Sequence, residues 1–175
     1  MVAEGGYVCG TCGIFHEGLP TSYGADAPLY WYLVPEAERP SRAQLEQEIC
    51  VLDKDHYFVK GNLEIHVHGK SDPFVWTVWS SLSRENFKRL LDRWDDTERE
   101  KEPPYFGWLS TRLPAYPDTL NLKTHVHTRA VGLRPCVELE PTDHPLAVEQ
   151  REGISLERVA AIAEAVLHPA ESPSK

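Results

Sequence analysis

Apolar residues occur in short runs along this chain, and residues that favour turns separate most of the runs. Several runs alternate between apolar and polar positions, and others are apolar at every position, as in strands that are buried on both faces. The pattern predicts strands over residues 29–34, 49–53, 56–60, 63–68, 74–81, 105–109, 119–128 and 134–140. The dipeptide Gly61-Asn62 separates two of these strands and indicates either a hairpin turn or a bulge.

The sequence predicts helices in three places, two of them from apolar residues at helical spacing. Residues 83–94 begin with Ser83, which can cap a helix, and apolar side chains then recur every three or four positions. Residues 155–167 have the same pattern behind Ser155. A shorter helix is predicted over residues 143–153, because a proline lies near the start of this segment and a glycine ends it.

Strands outnumber helices, and no regular strand–helix–strand alternation of the parallel kind occurs. The sequence therefore predicts an α+β fold, with a mostly antiparallel sheet and two or three helices packed on one face. One domain is expected over residues 7–168, with flexible tails at residues 1–6 and 169–175. Residues 17–28 predict an ordered loop, and residues 35–48 predict a loop with a helical turn.

Composition narrows the classes of function. With 18 basic and 27 acidic residues the net charge is −9, and an acidic chain lacks the electrostatic footprint of a nucleic-acid binder. A basic protein partner is compatible with this charge. No apolar run approaches the ~20 residues of a membrane span, and the N-terminus lacks the features of a signal peptide. We therefore expect a cytosolic protein that contacts neither membrane nor nucleic acid, with an oligomeric state that the sequence does not specify.

Cys9 and Cys12 form a Cys-x-x-Cys motif, which Gly13 and then His16 follow. Two thiolates at this spacing can hold one zinc ion, and a glycine lets the backbone turn around it. A structural zinc site needs four ligands, and the chain has no second Cys-x-x-Cys. The predicted set is Cys9, Cys12, His16 and Cys50, with the three sulfur atoms within ~4 Å of one another. The motif would then pin the N-terminus onto the sheet.

Other interpretations of this motif stay open. Cys136 or His144 could complete the site instead, and two cysteines in a turn also occur without a metal. Redox chemistry of the thioredoxin kind needs a helix after the second cysteine, whereas a loop rich in Gly and Pro follows here. Four cysteines without a secretory signal argue against a disulfide framework.

Two His-x-His pairs are a second group of candidate metal ligands. His66 and His68 lie on one face of a predicted strand, and His125 and His127 lie on one face of another. Four imidazoles would share a face if the two strands were adjacent, with Glu64 as a carboxylate beside them. The alternative is that both pairs lie on solvated strand faces, because a lysine accompanies the second pair.

No catalytic set can be assembled from the sequence. The aromatic and proline-rich segments 105–108 and 114–118 could line a pocket, although core packing and rigid turns explain them equally. His144 could act as an acid or base, but a polar residue at a helix start usually caps it. A phosphate-binding glycine loop, a nucleophile elbow and a His-Glu-x-x-His motif are all absent from the sequence.

Six segments of the chain are distinctive: Cys9-Gly-Thr-Cys-Gly-Ile-Phe-His16, Tyr23-Gly-Ala-Asp-Ala-Pro28, Pro73-Phe-Val-Trp76, Pro103-Pro-Tyr-Phe-Gly-Trp-Leu109, Tyr116-Pro-Asp-Thr-Leu-Asn-Leu-Lys-Thr124 and Asp143-His-Pro-Leu-Ala-Val-Glu-Gln150. Together they resemble a bacterial family known only as domain of unknown function 2199. The similarity extends from about Tyr7 to Leu167 and implies a bacterial protein with one domain. It implies no activity, cofactor or catalytic residue.

The resemblance also separates the candidate ligands that match the family pattern from those that do not. The residues that match the family pattern are Cys9, Cys12, His16, Cys50 and His144. Other members are more apolar at positions 66 and 68, which weakens the hypothesis of a four-histidine site. Cys136 is particular to this chain.

Two hypotheses about function follow. The first is a non-enzymatic binding or interaction module, with a structural zinc at the N-terminal turn and another protein as its partner. The second is a metal-dependent enzyme, similar to a hydrolase, that uses the Cys/His cluster around an open coordination position.

Overall fold

The secondary structure is known from a computed structural model, which describes residues 2–3 and 5–169. Within these residues the strands are β1 (Val2–Ala3), β2 (Gly6–Val8), β3 (Phe15–Glu17), β4 (Ser22–Gly24), β5 (Ala43–Leu45), β6 (Ile49–Leu52), β7 (His56–Ile65), β8 (Phe74–Leu82), β9 (Tyr105–Leu109), β10 (Lys123–His127) and β11 (Cys136–Leu139). The helices are α1 (Leu29–Leu33), α2 (Arg39–Arg42), α3 (Arg84–Asp92), α4 (Pro145–Glu152) and α5 (Leu156–Leu167), with short 3₁₀ turns at Glu36–Glu38 and Arg99–Lys101.

Five strands close into a small barrel. Strands β7 and β8 pair antiparallel from Tyr57↔Leu82 to Ile65↔Phe74, and β8–β9, β9–β10 and β10–β11 are antiparallel as well. The ring closes where β11 returns to β7 in a parallel pairing. Strand β4 extends the sheet beside β8, and β6 and β5 extend it beside β7. The predicted α+β class and mostly antiparallel sheet are confirmed. The closure of the sheet into a barrel was not predicted.

The closure point corrects one prediction. Gly61 and Asn62 form neither a turn nor a bulge, because both lie within the continuous strand β7. The amide of Asn62 donates to the carbonyl of Pro135 at 2.8 Å, and Asn62 pairs with Cys136 of β11. A glycine at position 61 lets the two backbones approach this closely.

The core fills the barrel and continues beneath three helices. The buried cluster includes alternate residues of β7, β8 and β10, such as Leu63, Ile65, Val78 and Val126. Helices α3, α4 and α5 add to the same cluster, with Phe87, Leu90, Leu146, Val159 and Ile162. These helices therefore hold their position by apolar burial against the barrel.

All three predicted helices are confirmed. The hydroxyl of Ser83 accepts a hydrogen bond from the amide of Asn86, and the hydroxyl of Ser155 accepts one from the amide of Arg158. Both serines therefore cap their helices as predicted. At 12 residues, α5 is the longest helix within the described part of the chain, and no helix there is long and apolar enough to cross a membrane.

Residues 29–34 were predicted as a strand, and this is wrong. They form the short helix α1, which follows Pro28 and is fixed by a hydrogen bond from the Leu29 amide to the Ser110 carbonyl at 2.9 Å. A run that is apolar at every position does not distinguish a strand from a helix by its period. The helix covers a cluster separate from the barrel core, formed by Val34, Cys50, Leu52, Phe58 and Trp79.

The N-terminal part of the chain differs from the predicted tail. Strands β1, β2 and β3 form a small antiparallel sheet, in which Val2 pairs with Tyr7 and Tyr7 pairs with His16. Residues 2–3 and 6 thus belong to strands. Most of the predicted C-terminal tail, residues 170–175, lies outside the described residues.

Candidate metal centre

The Cys-x-x-Cys motif lies in the turn of the β2–β3 hairpin. The amide of Cys9 donates to the carbonyl of Ile14 at 3.0 Å, and the amide of Gly13 donates back to the carbonyl of Cys9 at 2.9 Å. Gly13 has a φ of +71°, in the left-handed region that glycine adopts without strain. The turn therefore brings Cys9, Cys12 and His16 to one end of the hairpin, as their spacing predicted.

The inner face of the hairpin packs on helix α5. Tyr7 and Cys9 are both about 1% exposed, and they form a small cluster with Ala160 and Ala163. Two alanines on the helix surface leave space for the hairpin backbone to approach. The turn is also fixed by a hydrogen bond from the amide of Gly10 to the Glu164 carboxylate at 2.7 Å.

Helix α5 ends at this turn and adds a fourth candidate ligand. His168 is the C-cap residue, and its amide donates to the carbonyl of Glu164 at 2.8 Å. Cys9, Cys12, His16 and His168 each offer one ligand atom, and these atoms all lie within 4.8 Å of one another. The four residues are close enough to bind a metal.

The structure of the turn favours the ionised form of the Cys9 side chain. The pKa of the Cys9 thiol is lowered because the backbone N–H of Cys12 donates to the sulfur, as does that of Thr11 to a smaller extent. Burial acts in the opposite direction and raises this pKa. Since metals bind the thiolate rather than the thiol, the hydrogen bonds of the turn favour the form that ligates.

The two imidazoles are held in different ways. His16 stacks on Tyr7, with ring centroids 5.2 Å apart and an angle of 20° between the planes, and its Nε2 atom lies 3.6 Å from the Cys12 sulfur. The Nε2 atom of His168 is buried and has no hydrogen-bond partner among the described residues. A buried ring nitrogen without a partner is costly, and coordination to a metal would satisfy it.

Cys50 was predicted as the third sulfur ligand, but the structure places it elsewhere. It lies on β6, fully buried, in the apolar cluster beside Phe58 and Trp79. Burial raises the pKa of its thiol to about 12, so Cys50 stays a neutral thiol in the core. The three sulfur atoms therefore do not converge, and the hairpin is fixed to α5 rather than to the sheet. Sequence reasoning missed His168, which no local motif connects to Cys9.

The remaining candidates have structural roles or lie apart. His144 caps α4, because its Nδ1 atom accepts a hydrogen bond from the Leu146 amide at 3.2 Å. Cys136 is half-buried on β11 at the barrel closure.

The His-x-His pairs do not combine into one site. His127 on β10 forms a hydrogen bond with Glu138 of β11, and His125 forms one with Glu140, which follows the end of β11. Strand β11 separates β10 from β7, and the other pair, at residues 66–68, follows the end of β7. The hypothesis of a four-histidine face is therefore wrong.

Comparison with known proteins yields one match. No curated protein and no solved structure matches the chain. A family model described as an uncharacterized protein conserved in bacteria (DUF2199) matches residues 8–154. The matched range contains Cys9, Cys12 and His16 and ends before His168. The chain belongs to this uncharacterised bacterial family.

Proposed function

We propose that this protein is a cytosolic, non-enzymatic interaction module whose N-terminal hairpin is held in place by a structural zinc ion. The observation that supports the proposal is the convergence of two cysteines and two histidines, with ligand atoms within 4.8 Å of one another. The ion would connect the β2–β3 hairpin to the end of α5. A reducing cytosol would keep both thiols available for the metal.

The donor set fits zinc. Cys₂His₂ is a common closed set for structural zinc, with Zn–S distances of about 2.3 Å and Zn–N distances of about 2.0–2.1 Å. The edges of such a tetrahedron are about 3.3–3.8 Å long, and the Cys12 sulfur and the His16 Nε2 atom, 3.6 Å apart, already have this spacing. Cys12 and His16 are not fully buried, so small rotations of their side chains would bring the ligand atoms, all within 4.8 Å of one another, onto a metal.

A closed site favours a structural role over catalysis. A catalytic zinc keeps one position for water or substrate, with three protein ligands. Here four protein ligands would occupy all tetrahedral positions, which leaves none for a reacting water. The geometry therefore supports the interaction module over the hydrolase-like enzyme.

Elemental analysis of protein without a histidine tag tests the proposal. The wild type should contain about one zinc per chain. His168→Gln should weaken zinc binding by at least about tenfold in a competition with a chelator, because it removes one of the four ligands. His144→Gln, which changes an imidazole outside the site, should retain the wild-type affinity.

Cobalt substitution distinguishes the two classes of function. A closed Cys₂His₂ site should give the intense visible bands of tetrahedral cobalt and sulfur-to-metal charge transfer, and these should not change when azide or another small ligand is added. Spectral changes with added ligand would reveal an open position and favour the enzyme. A wild-type protein without bound metal would contradict both.

A further inference from the structure

The outer face of the hairpin is apolar and exposed. Val8 and Phe15 are cross-strand partners on this face, 46% and 48% exposed, and Ile14 beside them is 62% exposed. The ring of Phe15 lies across Gly6, where a side chain would not fit. Exposed apolar side chains this close together indicate a contact site rather than scattered surface residues.

Strand β3 also has an open edge. The hydrogen bonds Cys9 to Ile14 and Gly18 to Gly5 fix which residues of β3 face β2. By the alternation of an antiparallel pair, the N–H and C=O groups of Phe15 and Glu17 point away from β2. They make no backbone hydrogen bond to any residue that the structure describes. An open edge of this kind is a template for one more strand.

Acidic side chains lie on this edge and beneath the hairpin. Residues 1–38 contain no lysine or arginine, whereas they contain five acidic residues, Glu4, Glu17, Asp26, Glu36 and Glu38. Glu17 lies on the same face as Phe15, and the half of α5 that packs under the hairpin carries Glu164. Lys70 and Asp72 lie together at the base of the hairpin and carry opposite charges.

We propose that the open edge of β3 binds an extended, basic segment of a partner protein, which adds a strand to the small N-terminal sheet. Backbone hydrogen bonds to Phe15 and Glu17 would supply the pairing. On the face of the segment that continues the outer face of the hairpin, an apolar side chain would lie beside Phe15, and a lysine or arginine two residues away would lie beside Glu17. The inference rests on the proposed function as an interaction module, because the proposed zinc ion would hold this edge in place.

A matched pair of model peptides tests the proposal on the zinc-loaded full chain. One peptide repeats Val-Thr-Lys-Thr, so that valine and lysine alternate along one face of an extended strand, and the other repeats Val-Thr-Glu-Thr. The lysine peptide should bind at least about tenfold more tightly, and raising salt from about 0.05 M to about 0.5 M should weaken it several-fold. On binding, amide exchange at Phe15 and Glu17 should slow by at least about tenfold, which bulk electrostatic attraction alone would not cause.

Two variants locate the site. Phe15→Asp should weaken binding of the lysine peptide by at least about tenfold, while the zinc content of the protein remains at the wild-type level. Leu133→Asp changes an equally exposed apolar residue in the β10–β11 connection and should leave binding unchanged. Equal binding of both peptides, or protection elsewhere than at β3, would overturn the proposal.

Further outcomes separate this inference from the zinc proposal. Bound zinc without peptide binding would overturn the docking inference alone. Peptide binding at β3 in a chain that contains no zinc would support the docking inference and overturn the zinc proposal. Protection of Phe15 and Glu17 that increases with protein concentration, without peptide, would identify a second copy of the chain as the occupant and overturn the proposed partner.

Discussion

Gly61 is the residue on which barrel closure depends most directly. A Cβ atom at this position would lie 2.5 Å from a methyl group of Val137 and 3.1 Å from the carbonyl oxygen of Pro135. Gly61→Ala should therefore push β11 away from β7 and lower the free energy of unfolding by about 2 kcal/mol or more. Urea unfolding followed by tryptophan fluorescence measures this loss.

The matched control for this variant is the preceding residue. The side chain of Lys60 lies outside the barrel over the ring of Trp79, with 4.9 Å between its nitrogen and the ring centroid. Lys60→Ala removes a cation–π contact but not the closure, so it should cost about 1 kcal/mol or less. Equal losses for the two variants would show that the closure tolerates a side chain at position 61.

At the residue scale, the sequence predicts those residues of the candidate site that lie close together in the chain. Cys9, Cys12 and His16 were found because their spacing alone places them in one turn. His168 joins them through the packing of α5 on the hairpin, and no spacing rule spans so long a separation. Cys50 was wrongly included because a cysteine in an apolar strand has the same sequence signature whether it binds metal or fills a core.

At the scale of elements, the connection between β10 and β11 is organised by a buried arginine. The guanidinium of Arg99, 2% exposed, donates to the carbonyls of Trp94, Arg129, Ala130 and Leu133 at 2.6–3.1 Å. Arg99→Met would leave four carbonyl groups without this donor. We expect a loss of about 3 kcal/mol or more in the free energy of unfolding, together with faster amide exchange in residues 129–133.

An exposed arginine supplies the comparison for this variant. Arg84 pairs with Asp55 on the surface, and both side chains are mostly exposed. Arg84→Met should cost less than about 1 kcal/mol because exposed ion pairs contribute little. If Arg99→Met were equally mild, water would have to replace the arginine in the four hydrogen bonds.

Glu102 connects helix α3 to the start of β9 and makes stability depend on pH. Arg89 donates to its carboxylate at 2.7 Å and Arg93 lies 3.1 Å away, and these cations hold the pKa of Glu102 below its ordinary value. A lowered folded-state pKa stabilises the protein above the unfolded pKa of about 4.3, and this stabilisation is lost as pH falls through the folded value. Glu102→Gln should therefore be less stable than the wild type at neutral pH.

The difference between the two proteins should shrink toward acid. Urea unfolding at about pH 7 and about pH 3 measures it directly. In the variant Arg89→Met, the effect of Glu102→Gln on this pH dependence should be smaller, because the main cause of the lowered pKa has been removed. A constant difference at both pH values would assign the loss to packing.

Helices and strands were predicted correctly where the pattern of apolar residues is compatible with only one kind of element. The spacing in α3 and α5 allows one interpretation each, and both helices formed as predicted. The apolar run at residues 29–34 is compatible with either a strand or a helix. It forms a helix, and the amide of its first residue donates to the Ser110 carbonyl. Barrel closure was not predictable from these patterns, because one parallel pairing between β11 and β7 makes the difference between an open and a closed sheet.

At the scale of the whole molecule, a metal bound at the candidate centre would join the first hairpin to the last helix. The hairpin contributes only Tyr7 and Cys9 to a small buried cluster, and the large core forms without it. Removal of zinc should therefore release the hairpin as a local unit and leave the barrel folded. Loss of a ligand that binds only the folded state also lowers the melting temperature, by several degrees for a chain of this size.

Hydrogen exchange with and without a strong chelator measures this separation. Amides of β2, β3 and the last turn of α5 should exchange at least about tenfold faster without metal, whereas the paired amides of β7 and β8 should keep their protection. Cys9→Ser already lacks a ligand, so adding a chelator to this variant should change nothing further. Equal acceleration across the barrel would mean that the hairpin and the core unfold together, and the metal would then stabilise the whole fold rather than one edge of it.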